Sequence, residues 1–127
     1  LTGGETFTQR MGRAGEEYTA GWLLRRGYAI LARNWHCPWG ELDIVARQGE
    51  FVDFVEVKAR RPGAAVSPAG AVDRRKQQKL VRAAGAWLDA AGCGLQPRMD
   101  VAAMTIREHR GQIFISDFEF YESAFGE

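Results

Sequence analysis

The chain predicts an α/β domain, and three observations carry the prediction. Residues 12–26 repeat apolar side chains at helical spacing. Two apolar runs, Leu42–Ala46 and Phe51–Lys58, face each other across Gln48-Gly49-Glu50. A second helical stretch, basic at its start, runs from Asp73 to about Ala91 and is followed by two more strand-like runs. At 127 residues the chain is one domain with enough material for a core.

In the first helix, read from Gly12 to Arg26, Ala20, Leu23 and Leu24 mark the apolar side, with Arg13, Arg25 and Arg26 largely elsewhere. Glu16 lies four residues before Ala20 and seven before Leu23, so it falls on the buried stripe, whereas its neighbour Glu17 faces water. An inward glutamate needs a partner, because a bare buried charge is expensive. The alternative is an acid favoured by the dipole of the first helical turn. Gly27 ends the helix. Tyr28–Ala32 reads as a short strand leading into a loop, 34–40, that holds Trp35 and Trp39. These tryptophans either pack over the sheet or offer aromatic surface to unstacked bases.

The next two strands hold three charges that their hydrophobicity does not explain: Asp43, Glu56 and Lys58. Side chains alternate along a strand, so Glu56 and Lys58 share a face with Val52 and Phe54. A two-residue loop, Gly49-Glu50, places Asp43 directly opposite Glu56, with Cα atoms about 4.5–5.5 Å apart. A Gln48-Gly49 loop places Asp43 opposite Phe54 and diagonal to Glu56, and a three-residue loop reverses the parity and separates the charges. Two carboxylates this close repel unless a proton or a cation intervenes. Mg²⁺, which is held by one or two carboxylates plus waters and phosphate oxygens, is the natural candidate. Lys58 beside it would hold an attacking water or neutralise charge developing on phosphorus. The outline is that of a metal-dependent phosphodiesterase, with a solvated surface charge cluster as the plain alternative.

Residues 60–70 are rich in Pro, Gly and Ala and read as a mobile loop beside the site. Asp73 is an N-cap for the second helix, whose core stripe is Leu80, Ala83, Ala84, Trp87 and Leu88. Lys76 lies on that stripe one turn earlier and should emerge at the sheet edge near Lys58. Gly92 and Gly94 close the helix. The runs 99–106 and 112–120 form a final hairpin over His109-Arg110-Gly111, with Asp100 read first as a structural hydrogen-bond acceptor.

Net charge is only +1, so bulk electrostatics do not announce a nucleic-acid binder. Its distribution says more. From Lys58 to Arg82 there are eight basic residues against one acid, Asp73, and from Ser116 onward four acids and no base. Clustered Lys and Arg beside the carboxylates are the footprint of phosphate-backbone binding. Cys37 and Cys93 suit a reducing compartment better than a disulfide framework, and with no signal-peptide pattern or membrane-length apolar run the expectation is cytoplasmic, away from membranes. His36, Cys37, Cys93 and His109 lack the paired spacing of a zinc site.

Five stretches in order carry a family resemblance: Gly12-x-x-Gly15-Glu16-x-x-x-Ala20; Arg33-Asn34 with Gly40-Glu41-Leu42-Asp43; Phe54-Val55-Glu56-Val57-Lys58-x-Arg60; Lys76-Gln77; and Arg98-Met99-Asp100-Val101. The chain resembles the PD-(D/E)xK nuclease superfamily, which includes type II restriction enzymes and archaeal Holliday junction resolvases, and more closely the bacterial YraN family assigned to that fold. The resemblance implies a restriction-endonuclease-like three-layer core (αβββαβ) with a central mixed sheet flanked by helices. It implies Mg²⁺ or Mn²⁺ on Asp43 and Glu56, with Lys58 the catalytic lysine and Glu16 an additional acid. Leu42 stands where the wider superfamily has proline, and Met99 where an aromatic is frequent. On this reading residues 1–11 are a mobile segment and 12–127 a single nuclease-like domain. The expected activity is an endonuclease-like hydrolase acting on branched or structured DNA, with RNA behind it and Arg60, Arg61, Arg75, Lys76 and Lys79 gripping phosphates. The alternative is a nucleic-acid-binding module, or a nuclease's accessory protein, on the same fold. A homodimer with Phe118, Phe120, Tyr121 and Phe125 as its seam is a further expectation, against those aromatics closing the monomer's own core.

Overall fold

The computed structural model describes residues 4–63 and 72–126. In chain order the elements are α1 (Phe7–Arg25), β1 (Ala29–Cys37), β2 (Gly40–Gln48), β3 (Phe51–Arg60), α2 (Arg74–Ala91), β4 (Gln96–His109) and β5 (Gln112–Phe125). The five strands form one sheet in the order β1-β2-β3-β4-β5. All neighbours are antiparallel except β3 and β4, which pair in parallel from Phe51 with Gln96 to Arg60 with Thr105. A parallel pair needs a crossover, and α2 supplies it. The αβββαβ core is therefore present, extended by β5, and it is mixed α/β as in restriction-endonuclease-like proteins.

Each face of the sheet has its own core. On one face Met11, Ala20 and Leu23 of α1 pack on Ile44, Ala46, Val55, Ala102, Met104 and Ile106. On the other, Leu80, Ala83 and Ala84 of α2 pack on Val45, Val52, Phe54, Met99 and Val101. Leu23, Ile44 and Phe54 are essentially inaccessible, each contributing roughly 1.5–3 kcal/mol by leaving water.

Several boundaries differ from the expectation. α1 begins at Phe7, not Gly12, because Thr6 and Gln9 form a capping box that polar sequence conceals: the Thr6 hydroxyl accepts from the Gln9 amide and the Gln9 side chain from the Thr6 amide. The segment expected to be mobile thus contributes a buried residue, Met11. Leu24 is exposed at 57%, and Thr19, whose hydroxyl donates to the Gly15 carbonyl, fills the inward position instead. Residues 34–37, assigned to a loop, continue β1, which absorbs an irregularity between Ile30 and Ala32. Asn34 takes a positive φ of 51° there, a conformation asparagine tolerates better than most residues. Most of the expected 60–70 loop, residues 64–70, lies outside the described residues.

The C-terminal aromatics are engaged within the chain. Trp22 stacks on Phe120 at 4.7 Å and meets Phe118 at 5.3 Å, while Tyr121 and Phe125 pack on the α2-side core. The monomer's own core uses the proposed seam.

A buried polar cluster joins β3, β4 and β5. Arg98 donates to both oxygens of Asp53, at 3.0 and 2.9 Å, and also pairs with Glu122. Asp100 accepts from the Ser123 amide at 2.8 Å through Oδ1, while its buried Oδ2 has no hydrogen-bond partner among the described residues. Burial, and then Asp53 beside it, push the Asp100 carboxyl up to about 9. Asp100 is thus the structural acceptor that its sequence position suggested.

Candidate functional site

The β2–β3 turn decides the geometry. Gln48 pairs with Phe51 and Ile44 with Val55, so the loop is Gly49-Glu50 and the register points Asp43 at Glu56. Gly49 has φ +62°, a turn conformation that favours glycine. Ladder pairing between the two strands ends at Ile44–Val55, although β2 continues on β1 and β3 continues on β4. The sheet forks at this point. Asp43 turns into the fork, where its Oδ2 accepts from the Val57 amide at 2.9 Å and replaces a missing ladder bond.

Glu56 is buried at 6% exposure and carries two ammonium groups on one oxygen. Lys76 Nζ, reaching across from the first turn of α2, is 2.8 Å from Glu56 Oε2, and Lys58 Nζ is 3.5 Å from it. The Asp73 side chain caps that turn by accepting from the Lys76 amide at 2.8 Å, and this sets where Lys76 leaves the helix. Lys76 emerges near Lys58, as its place on the stripe indicated.

Glu16 approaches from α1 on the other side. The helix comes close because Gly15 has no side chain: a Cβ there would stand 3.2 Å from both Ala59 Cβ and Val57 Cγ1. The Glu16 carboxylate is hydrogen-bonded by Asn34 and senses Glu41 and Glu56. Asn34 is a residue that the sequence reading quoted but gave no role. Its positive φ, which marks it in the fold, is not visible in the sequence.

Electrostatics follow from burial and like charge. Desolvation, and then Glu56, push Asp43 up to about 8, with Glu56 within hydrogen-bonding reach of it. Desolvation chiefly, then Glu41 and Glu56, raise Glu16. Burial lowers Lys58, aided by the charge of Lys76 and opposed by Glu56. For Lys76 burial opposes the charge, but the hydrogen bond and charge of Glu56, with Asp43, outweigh it and the pKa rises.

Asp43, Glu56 and Lys76 open onto a cleft of about 400 Å³ lined also by Trp39, Gly40, Glu41, Asp73, Arg75, Lys79 and Leu80. Of the basic residues expected to grip phosphates, Arg75, Lys76 and Lys79 line it. Arg60 and Arg61 do not. Arg60 ends β3 opposite Thr105, and Arg61, one position out of phase, lays its guanidinium over Phe7 of α1 at 4.3 Å from the ring centroid. Lys58 pairs with Glu56 at 3.5 Å without lining the cleft itself.

Among the described residues no three His, Cys, Asp or Glu side chains stand together as a metal-holding group. Glu16 is near enough for its charge to be felt by Asp43 and for it to feel the charge of Glu56. Two hard-oxygen carboxylates of like charge nevertheless fit Mg²⁺ or Mn²⁺, which keep most of their coordination for water and substrate oxygens. No helix among the described residues is long and apolar enough to cross a membrane.

Comparison with known proteins follows the same segment. The family model described as "Uncharacterised protein family UPF0102" matches residues 15–104, the stretch that holds Glu16, Asp43, Glu56, Lys58 and Lys76. A UPF0102 protein of Chloroflexus aurantiacus is 40% identical over 124 residues, covering 96% of this chain and 98% of its own. One of Moorella thermoacetica is 43% identical over 97 residues, covering 76% and 81%. One of Nitrobacter winogradskyi is 48% identical over 79 residues, covering 62% and 65%. With Glu16, the fork between β2 and β3 and the carboxylate pair all inside residues 15–104, the chain belongs to the UPF0102 (YraN) family.

Proposed function

We propose that this protein is a metal-dependent endonuclease-like phosphodiesterase acting on branched or structured DNA. The observation that carries the reading is the meeting, at one fork in the sheet, of the Asp43–Glu56 pair with two lysines from different elements. Asp43 and Glu56 would hold Mg²⁺ or Mn²⁺, which when bound supplies a Lewis acid for a phosphoryl oxygen. Lys58 is the water-positioning group: it is half-buried, and its lowered pKa lets it share a proton more readily than an ordinary lysine. Lys76, on the cleft wall with Arg75 and Lys79, takes the phosphate. Glu16, held by Asn34, adds negative charge behind the pair and helps order the waters there.

A second reading, a binding module without turnover, is favoured by one observation: Glu56 is already satisfied by Lys76. Incubating the full chain with Mn²⁺ and four-way junctions or flaps separates the two. The nuclease reading expects strand cleavage that Glu56→Gln and Lys58→Met each reduce at least a hundredfold while DNA affinity stays within threefold. Undiminished binding with no cleavage under Mg²⁺, Mn²⁺ or Co²⁺ establishes the module instead.

A further inference from the structure

Three of the four tryptophans are used in packing. Trp22 stacks on Phe120, Trp35 packs against the α2-side core, and Trp87 meets Phe54 edge-on at 5.8 Å. Trp39 is different. It lies between β1 and β2 in the two-residue connection Pro38-Trp39, remains 45% exposed, and lines the cleft that holds Asp43 and Glu56. A tight turn does not call for a large aromatic residue, and the core does not claim this one.

Its surroundings point to a ligand. The Arg82 guanidinium lies 5.0 Å from the Trp39 ring centroid, a cation–π contact that braces the indole from α2. Arg75, Lys79 and Arg82 follow one another at helical spacing of four and three residues, so they form a basic stripe on one side of α2, about 10 Å long. Arg75 and Lys79 line the same cleft as Trp39. A basic track ending on a braced aromatic face is what unpaired nucleic acid requires: the cations follow the backbone and the ring accepts a base. Inside a duplex both faces of a base are covered by its neighbours, so away from a duplex end Trp39 can receive only a base that has left the stack.

We propose that Trp39, braced by Arg82, is a stacking platform for an unpaired base. The DNA that this protein acts on accordingly carries a single-stranded or extruded nucleotide next to the phosphate placed at Asp43 and Glu56. This rests on the nuclease reading for the role of that phosphate, but its test reads binding alone.

The experiment measures affinity by fluorescence anisotropy in EDTA, so that nothing is cut. It compares a blunt duplex, the same duplex with a 3′ flap, and that flap with an abasic nucleotide next to the junction. Wild type binds the flap at least tenfold more tightly than the blunt duplex. Trp39→Ala removes most of that preference and leaves blunt-duplex binding within twofold, Trp39→Phe keeps the larger part of it, and the abasic flap binds wild type and Trp39→Ala alike. An equal loss on blunt and flapped DNA, or a Trp39→Ala effect that persists at the abasic position, overturns the platform. Tighter, Trp39-dependent binding of an RNA flap of the same sequence overturns DNA as the substrate. Failure of cleavage under every metal refutes the nuclease reading but leaves these affinities unchanged, so the two failures are told apart.

Discussion

Glu56 Oε2 is shared by Lys76 and Lys58, and this crowding has a measurable effect. The Lys76 ammonium occupies, as a monovalent cation, ground that a divalent ion bound to Glu56 would need. It also offsets the repulsion between Glu56 and Asp43. Lys76→Met removes both effects. Mn²⁺ affinity, measured by calorimetry, should rise about tenfold because the ion no longer competes with a tethered charge. The metal-free variant should lose about 1–2 kcal/mol of stability, less than a fully buried pair would cost because Lys76 is 47% exposed. Unchanged Mn²⁺ affinity would mean that Lys76 and the metal do not share the carboxylate.

At the scale of elements, α1 delivers Glu16 only because it lies almost on β3, and Gly15 permits that approach. A methyl group there meets Ala59 and Val57 at 3.2 Å and Met104 Sδ at 3.4 Å, while alanine gains up to about 1 kcal/mol over glycine inside a helix. Gly15→Ala should therefore be close to neutral. Gly15→Val should cost about 1–3 kcal/mol in urea denaturation by forcing the layers apart. Equal stability of the two variants would show that α1 can slide without strain. The elements also differ in how plainly the sequence announced them. β2, β3 and the α2 stripe were legible because apolar runs on either side of a glycine-containing turn mark a hairpin, although the sequence left the turn's length, and so the register, open and Phe51 stays exposed. Only the first part of β1 was legible, through Tyr28–Ala32; its continuation was not, because Asn34-Trp35-His36 lacks an apolar alternation and the strand bends through an irregularity at Ile30–Ala32. The start of α1 was hidden in polar capping residues, and Leu24 was misplaced because it adjoins Leu23 on a helix with only one buried face. In the site, spacing along one hairpin put Asp43 and Glu56 on one face for a two-residue loop, and the fold selects Gly49-Glu50. The bracing of Glu16 by Asn34, and the diversion of Arg61 to Phe7, depend on tertiary contacts that no local pattern encodes.

The whole molecule is held at its other end by the Asp53–Arg98–Asp100–Glu122 cluster, which ties together the parallel β3–β4 pair and β5. Asp100, raised from 3.8 to about 9, keeps its proton in the folded protein and loses it in the unfolded chain over the intervening range. The native state then binds more protons than the unfolded state. The stabilisation is complete below the ordinary carboxyl range, declines as pH rises, and is gone above about pH 9. Asp100→Asn imitates the protonated group, with Tyr28, Asp53, Arg98 and Glu122 still around it. Chemical denaturation should show wild type losing about 1–3 kcal/mol more than the variant between roughly pH 5 and pH 9. Parallel pH profiles would mean that Asp100 is ionised in the fold.

The parting of β2 from β3 gives Asp43 two unequal tasks. Oδ2 serves as mortar, closing a backbone gap at Val57, while the negative charge is what the proposed metal site would draw on. Asparagine keeps the first and deletes the second. Alanine deletes both and strands a half-buried amide, at a penalty of about 1–3 kcal/mol. A lineage that drifted from cutting toward mere holding could therefore shed its chemistry through a single Asp-to-Asn exchange and keep its architecture intact.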